Sequence, residues 1–257
     1  MIDEQEEYVI DKRFHTRVRR SPRVLEIAEA FGLGLDDKDF VIFNQLRLNI
    51  KKGDVVYITG ESGSGKSLLL KDLEKQMGER GMSVINLDSI VFEDTPLIDQ
   101  IGKDTGDALR ILSIAGLNDA FLFLRAPSEL SDGQRYRFRL AKAIESGAEV
   151  WVVDEFMAIL DRIAAKVIAF SIQKTARKVG ATVVVATTHT DMVRDLHPDL
   201  YVEKRFREKL LIRTASPETT EYEEKQEDEI DEIMLALHGA GVSAERASIC
   251  AALLKEL

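Results

Sequence analysis

The sequence predicts an α/β protein built on a mainly parallel β-sheet with flanking helices. Four short apolar runs rich in Val and Ile recur through the middle of the chain, at residues 54–59, 83–87, 150–153 and 182–187. Helical patterns lie between them, for example at residues 67–77 and 131–145. Apolar strands that alternate with helices are typical of a parallel sheet covered on both faces.

The rest of the chain divides around this core. Residues 8–18 and 40–50 predict antiparallel strands, and the α/β pattern stops after Arg213. We therefore predict one domain over residues 1–213, with a basic N-terminal extension at 1–21. An acidic linker at 214–229 and a C-terminal helical hairpin at 230–257 are predicted to follow.

Composition predicts a soluble cytoplasmic protein. The 257 residues contain one cysteine, Cys250, and no apolar run long enough to span a bilayer, and the polar start is unlike a secretory signal. Much of the net charge of −10 falls in residues 218–232, which hold nine acidic residues and one basic residue. A basic run lies near the N-terminus: Lys12, Arg13, Arg17, Arg19, Arg20 and Arg23. This run could contact the phosphate backbone of a nucleic acid, or it could be a solvated face of strands and loops. The second interpretation is favoured.

A complete phosphate-binding motif, G-x-x-x-x-G-K-[ST], follows the strand predicted at 54–59 and precedes a predicted helix. Its glycines allow backbone N–H groups to surround a phosphate, and the helix start adds positive potential. The lysine is expected to reach the β- and γ-phosphates and the last serine to ligate Mg²⁺. The predicted cofactor-binding residues are Gly60, Glu61, Ser62, Gly63, Ser64, Gly65, Lys66 and Ser67. The alternative, a Gly/Ser turn with a chance lysine, does not explain the strand and helix on either side.

Two later strands end in residues suited to phosphate chemistry. The strand at 150–153 is followed by Asp154, a predicted Mg²⁺ ligand, and by Glu155, a predicted general base. The bland alternative for this pair is an acidic strand end facing solvent. His189 follows the strand at 182–187, on the rim where ligands bind in open α/β sheets, and is predicted to contact the γ-phosphate.

A second anion-binding segment, Leu130–Gln134, opens a predicted helix. Ser131 can donate to a phosphate, Gly133 permits close backbone approach, and Gln134 completes the segment. The chain's own nucleotide is already held by the loop at 60–67. The segment therefore predicts a head-to-tail homodimer in which each copy completes the site of the other.

These motifs, in this order, resemble the ABC ATPase family, whose signature is LSGGQ; the resemblance covers residues 22–213. It implies that residues 60–67 are Walker A, 151–155 Walker B and 130–134 the signature, with His189 the switch histidine and Asp161 in the D-loop. Asp132 replaces a signature glycine, and only 65 residues separate Lys66 from Ser131, which predicts a compact helical subdomain. The sequence is most similar to a stand-alone prokaryotic and phage group, sometimes fused to a predicted acetyltransferase domain.

The resemblance also implies an adenine-stacking aromatic and a glutamine that senses Mg²⁺ and the γ-phosphate. Phe31 is the candidate for the first, with Phe40 as its competitor. Gln100 is the candidate for the second and a predicted metal-site residue, and the rival alignment places Glu93 there.

Together these features predict an enzyme that binds ATP and Mg²⁺ and hydrolyses ATP in a dimer, in a nucleic-acid or stress-related process. One alternative is the nucleotide-binding subunit of a transporter with a separate membrane chain. Another is a nucleotide-gated scaffold that recruits a protein partner through its C-terminal tail. A P-loop kinase has no use for the segment LSDGQ.

Overall fold

A computed structural model of the protein describes residues 5–16, 18–35, 38–156, 162–204 and 210–214. The chain divides into two compact units, residues 5–50 and the remainder. Among the described residues, no helix is long and apolar enough to cross a membrane. Arg17, Asp161 and the predicted C-terminal hairpin at 230–257 lie outside the described residues.

The unit of residues 5–50 holds a two-stranded sheet and one helix. It consists of β1 (Gln5–Thr16), α1 (Pro22–Phe31) and β2 (Lys38–Lys51), the last of which ends just past the unit. Side-chain hydrogen bonds join position 7 to 47, 11 to 45 and 13 to 44. As the residue number rises along β1, the number of its bonded partner on β2 falls. The two strands are therefore antiparallel, as the sequence predicts.

The second unit is built on a six-stranded sheet with the strand order β4-β5-β6-β3-β7-β8. Every pair is parallel except β7 with β8, so the predicted α/β fold with a mainly parallel sheet is confirmed. The strands β7 and β8 were not predicted from the sequence, and Thr214, which was assigned to the linker, is the last residue of β8. The strands are β3 (Val55–Gly60), β4 (Val84–Asn86), β5 (Val150–Val153), β6 (Thr182–Thr187), β7 (Leu200–Lys204) and β8 (Leu211–Thr214).

Helices pack against this sheet, and the side chains between the helices and the strands form the hydrophobic core. On one face, Trp151 of β5 and Tyr57 of β3 pack in a buried cluster with Phe138 and Ile168. The described segment between β4 and β5 contains three α-helices and short 3₁₀ turns, which form the compact helical region that the short spacing predicts. The helices are α2 (Lys66–Glu79), α3 (Thr105–Ile114), α4 (Ala120–Phe123), α5 (Asp132–Ser146), α6 (Arg162–Val179) and α7 (Val193–Leu196).

The sheet topology brings the candidate site residues to one edge. Because β3, β4, β5 and β6 are parallel neighbours, their carboxyl ends open on the same side of the sheet. The phosphate loop follows β3, Asp154 follows β5 and His189 follows β6. This edge is therefore where the chemistry predicted from the sequence can assemble.

Candidate functional site

The phosphate loop joins β3 to α2 through backbone conformations that suit glycine. Gly60 has a φ of +144°, and a Cβ there would lie 1.9 Å from the carbonyl oxygen of Lys204 on β7. Gly65, with a φ of +103°, is the N-cap of α2. The first amides of α2 have no carbonyl acceptor within their own helix and carry the positive end of its dipole, so they suit a phosphate.

Lys66 closes the loop from inside. Its ammonium donates to the carbonyl oxygens of Gly60 (2.9 Å) and Glu61 (2.8 Å). Burial lowers the pKa of Lys66, and the nearby carboxylates of Asp154 and Glu155 oppose that shift. The hydroxyl of Ser64 is buried and has no hydrogen-bond partner among the residues that the structure describes. A cation and an unused hydroxyl inside the loop fit a bound phosphate.

Gly60→Ala is expected to lower the free energy of unfolding by about 3 kcal/mol or more, because the new methyl group meets a backbone carbonyl and forces a strained φ. Chemical denaturation measures this change. The control is Gly78→Ala in α2, where a Cβ meets nothing within 4 Å and which is expected to stabilise the helix by about 0.5–1 kcal/mol. An equal, small effect at both positions would contradict the close approach at Gly60.

Ser67 and Asp154 form the candidate magnesium site. The Ser67 hydroxyl donates to Asp154 Oδ1 at 3.0 Å, across 87 residues of sequence. A serine hydroxyl beside a carboxylate is the oxygen donor set that Mg²⁺ uses in P-loop enzymes. No cluster of three His, Cys, Asp or Glu ligands occurs among the described residues. This donor set fits a Mg²⁺ ion that also takes oxygens from water and nucleotide phosphates.

Glu155 occupies a strained turn directly after Asp154. Its φ is +48°, a left-handed conformation that costs a non-glycine residue about 1–2 kcal/mol. Two hydrogen bonds donated by backbone amides fix the turn: the Glu155 amide donates to the side-chain Oδ1 of Asp154 (3.0 Å), and the Phe156 amide donates to the Ala186 carbonyl (2.8 Å). The Glu155 side chain is exposed at this edge, where a carboxylate can accept a proton from water.

His189 is held by its backbone. The hydroxyls of Tyr57 and Thr59, both on β3, donate to the His189 carbonyl, the second at 2.8 Å. The His189 amide donates to Thr187 Oγ1 at 3.2 Å. Burial raises the pKa of Tyr57, so its hydroxyl remains a donor at physiological pH. The loop after β6 is thereby tied to the strand that leads into the phosphate loop.

The signature segment begins α5 with a capping box. The Gln134 amide donates to Ser131 Oγ (3.4 Å), and the Ser131 amide donates to Gln134 Oε1 (3.0 Å). Ser131 and Asp132 are exposed, and Arg135 lies 3.7 Å from the Asp132 carboxylate. Ser131 and Gln134, both predicted ligands, therefore cap their own helix. The start of that helix faces solvent in the single chain.

The roles of four other predicted residues stay predictions: Gln100, Phe31, Phe40 and Asp161. The Gln100 side chain is hydrogen-bonded to the backbone of Glu93 and Thr95, so it stabilises the loop that contains its rival. Its role as a metal-site residue stays a prediction. Phe31 ends α1 with 72% of its surface exposed, and the side chain of Phe40 and all of Asp161 are outside the described residues.

One residue at the edge was missed by the sequence analysis. Asp88 follows β4, and its Oδ2 accepts the backbone N–H of Asp154 at 2.9 Å. The apolar run SVINL is followed directly by Asp88, which is the same strand-then-carboxylate signal that identified Asp154.

Comparison with known proteins agrees with these motifs. The family model described as ABC transporter matches residues 43–90, which contain the whole phosphate loop. The methionine import ATP-binding protein MetN of Helicobacter hepaticus is 29% identical over 192 residues, covering 61% of this chain and 54% of that protein. The alpha-hemolysin translocation ATP-binding protein HlyB of Proteus vulgaris is 26% identical over 198 residues, covering 64% of this chain and 28% of that protein.

The chain resembles ABC-type ATPases in the order of its motifs and in these relatives. It spans about half the length of MetN, and less of HlyB. Solved structures agree on the P-loop fold of the chain. It superposes on cbiO1 of Clostridium perfringens, part of the ABC transporter complex cbiONQ, with a TM-score of 0.55 and 18% identity, over 78% of this chain and 91% of that one. For the ATP-binding cassette MJ0796 bound to ADP and Pi, the TM-score is 0.52 and the identity 18%, over 80% and 98% of the two chains.

Proposed function

We propose that this ABC-type ATPase binds MgATP on the loop at residues 60–67 and hydrolyses it in a head-to-tail homodimer. The observation that carries the proposal is the hydrogen bond between Ser67 and Asp154. It brings the end of the phosphate loop and the end of β5 together, at an edge that also presents Lys66 and Glu155. A phosphate cradle, a pair of metal ligands and a general base are the parts that phosphoryl transfer to water requires.

Lys66 is the residue that changes partners when nucleotide binds. Its ammonium lies against two backbone carbonyls, and a β- or γ-phosphate oxygen provides a stronger, charge-assisted partner. Ser64 supplies a further donor from its unused hydroxyl. Mg²⁺, when bound, neutralises charge on the phosphates, and Ser67 and Asp154 are the residues that would hold it.

Glu155 is the proposed general base. Its turn is fixed through the Asp154 carboxylate and the Ala186 carbonyl, so the base keeps a set position relative to the metal ligands. Glu155 accepts a proton from the attacking water as the water approaches the γ-phosphate. His189, fixed from β3, donates to a γ-phosphate oxygen as negative charge moves there.

The second chain is proposed to complete each site. Ser131 and Gly133 lie at an exposed helix start, a position that favours an anion. Because two identical chains in two-fold symmetry exchange the same surface, each would place its α5 start on the nucleotide of the other. Loss of the γ-phosphate removes the shared anion and allows the pair to open.

Mg²⁺-dependent turnover tests the proposal. Wild-type protein is expected to hydrolyse ATP with Mg²⁺ and not with EDTA, and Ser67→Ala and Asp154→Asn are each expected to lower kcat by roughly 10²-fold or more. A suitable control is Ser146→Ala. The Ser146 hydroxyl donates to the Ala143 carbonyl at the far end of α5, away from the site. Full turnover in EDTA, or in both site variants, would contradict the proposal.

Transport is a second candidate for the use of this cycle, because MetN and HlyB are named as import and translocation ATP-binding proteins. In that case a membrane partner would raise ATP turnover. The sequence-based alternative is a nucleic-acid or stress-related role through the basic N-terminal run. Its exposed members are Arg13, which is bonded to Asp11 and Asn44, and three further residues, Arg19, Arg20 and Arg23. Steeply salt-dependent DNA binding that is lost when these three are replaced would favour it over transport.

A further inference from the structure

Asp88 belongs to a rigid turn at the end of β4. The Asn86 side chain accepts the Asp88 amide at 2.9 Å, and the Ser89 hydroxyl donates to the Asn86 carbonyl at 2.7 Å. These bonds close the one-turn 3₁₀ helix Leu87–Ser89. The backbone on which the Asp88 side chain is mounted is therefore fixed locally.

The Asp88 carboxylate reaches the metal-site residue on the neighbouring strand. β4 and β5 are parallel, with Asn86 opposite Val152, so the residues that follow them emerge side by side. Asp88 Oδ2 accepts the Asp154 amide at 2.9 Å, while the Asp154 side chain is held by Ser67. Asp154 is thus fixed at both its backbone and its carboxylate, and Glu155 is attached to it.

The helix that begins with the signature segment, α5, packs against the 3₁₀ turn that carries Asp88. Partial burial raises the pKa of Asp88, while the hydrogen bond from Asp154 and the positive charge of Arg139 lower it. Arg139 lies over the ring of Phe92, 5.8 Å from its centroid, and its buried Nε has no hydrogen-bond partner in the described parts of the chain. The turn that holds Asp154 is therefore backed by α5.

We propose that Asp88 is a positioning residue, whose carboxylate sets the orientation of the Asp154–Glu155 turn. The proposal rests on the proposed hydrolytic function, and it adds a residue that neither the motifs nor the comparisons assign. Asp88 does not touch the nucleotide in this account. It acts through the peptide group of Asp154.

The expected loss of kcat depends on how close the Asp88 hydrogen bond lies to the proposed base. Glu155 is one residue from the bond that Asp88 makes, so loss of that bond displaces the base and the metal ligand together. Displacements of about 1 Å cost roughly 10²-fold in rate, and loss of a residue that orients a metal ligand costs about 10–100-fold. ATP affinity depends mainly on the phosphate loop and is expected to change much less.

Asp88→Ala is expected to lower kcat for ATP about 10–100-fold and to change KM by less than about threefold. Asp88→Asn keeps a side-chain oxygen that can accept the Asp154 amide, and is expected to stay within about threefold of the wild-type kcat. If Asp88→Ala does not fold, Asp88→Ser, whose hydroxyl is one atom shorter than the carboxylate, takes its place with the same expectation.

The matched control is Asp104→Ala. Asp104 makes the same kind of bond, accepting the Asp107 amide at 2.9 Å at the start of α3, outside the candidate site. This variant is expected to keep the wild-type kcat. Equal losses in both variants would reduce Asp88 to a structural residue, and unchanged turnover in Asp88→Ala would overturn the proposal.

A second readout does not depend on turnover. Mn²⁺ binding in the presence of ADP, measured by electron paramagnetic resonance, is expected to weaken in Asp88→Ala and to be retained in Asp88→Asn and Asp104→Ala. If wild-type protein binds Mn²⁺ with ADP but does not hydrolyse ATP, the proposed function fails and this readout still decides the role of Asp88. Unaltered Mn²⁺ binding in Asp88→Ala would exclude an effect on the metal ligand.

Discussion

Glu155→Gln is expected to lower ATP turnover by at least about 100-fold while ATP binding is retained, because the variant cannot accept a proton from water but keeps the size of the side chain. The backbone turn is held by the Glu155 and Phe156 amides, which the substitution leaves in place. ATP therefore remains bound, and the ATP-bound dimer is expected to accumulate. Light scattering with MgATP would show twice the mass of the nucleotide-free protein.

The control is Glu79→Gln, at the exposed end of α2, where the carboxylate lies 3.5 Å from Lys75. It is expected to leave turnover and mass unchanged, since an exposed ion pair of this kind contributes little. Normal hydrolysis by Glu155→Gln would exclude Glu155 as the base. Loss of hydrolysis without dimerisation would keep the base and contradict the head-to-tail arrangement.

Lys66→Ala is expected to weaken ATP binding by about 10–100-fold and to abolish measurable turnover. Charge-assisted hydrogen bonds of this kind contribute about 1.5–3 kcal/mol each, and their loss in the transition state costs more. The lysine also holds the carbonyls of Gly60 and Glu61, so the empty loop loses its internal support. Calorimetric titration with MgATP measures the affinity directly.

Lys75→Ala, on the same helix but exposed, is the matched control for charge and helix propensity. It is expected to bind ATP like the wild type. Wild-type affinity in Lys66→Ala would mean that the lysine bonds to the loop carbonyls are structural and that the phosphates bind elsewhere.

Much of the fold could be predicted from the sequence because its signals are local. The strands at 150–153 and 182–187 have the predicted bounds, since fully buried parallel strands are uninterrupted apolar runs. The phosphate loop is a contiguous motif whose glycines are needed by its own backbone, as the close approach at Gly60 shows. Parallel topology then explains why Ser67 and Asp154 meet although they are far apart in sequence.

The parts that were missed depend on contacts between distant segments. Residues 200–204 and 211–214 become strands by extending an existing sheet, and their own pattern is weak. No rule of spacing identifies Asp88 as the acceptor of the Asp154 amide, or Tyr57 and Thr59 as donors to the His189 carbonyl. Gln100 was selected by its residue type, whereas the structure shows its amide bonded within its own loop.

Complementation between two inactive variants tests the shared site most directly. Lys66→Ala removes the phosphate lysine and Ser131→Arg blocks the signature segment, so each variant alone is expected to be inactive. In an equal mixture, half of the dimers would be mixed, and each would contain one intact site made from the sound half of each chain. The account predicts recovery of about a quarter of the wild-type turnover, and no recovery in a mixture that forms mixed dimers would contradict it.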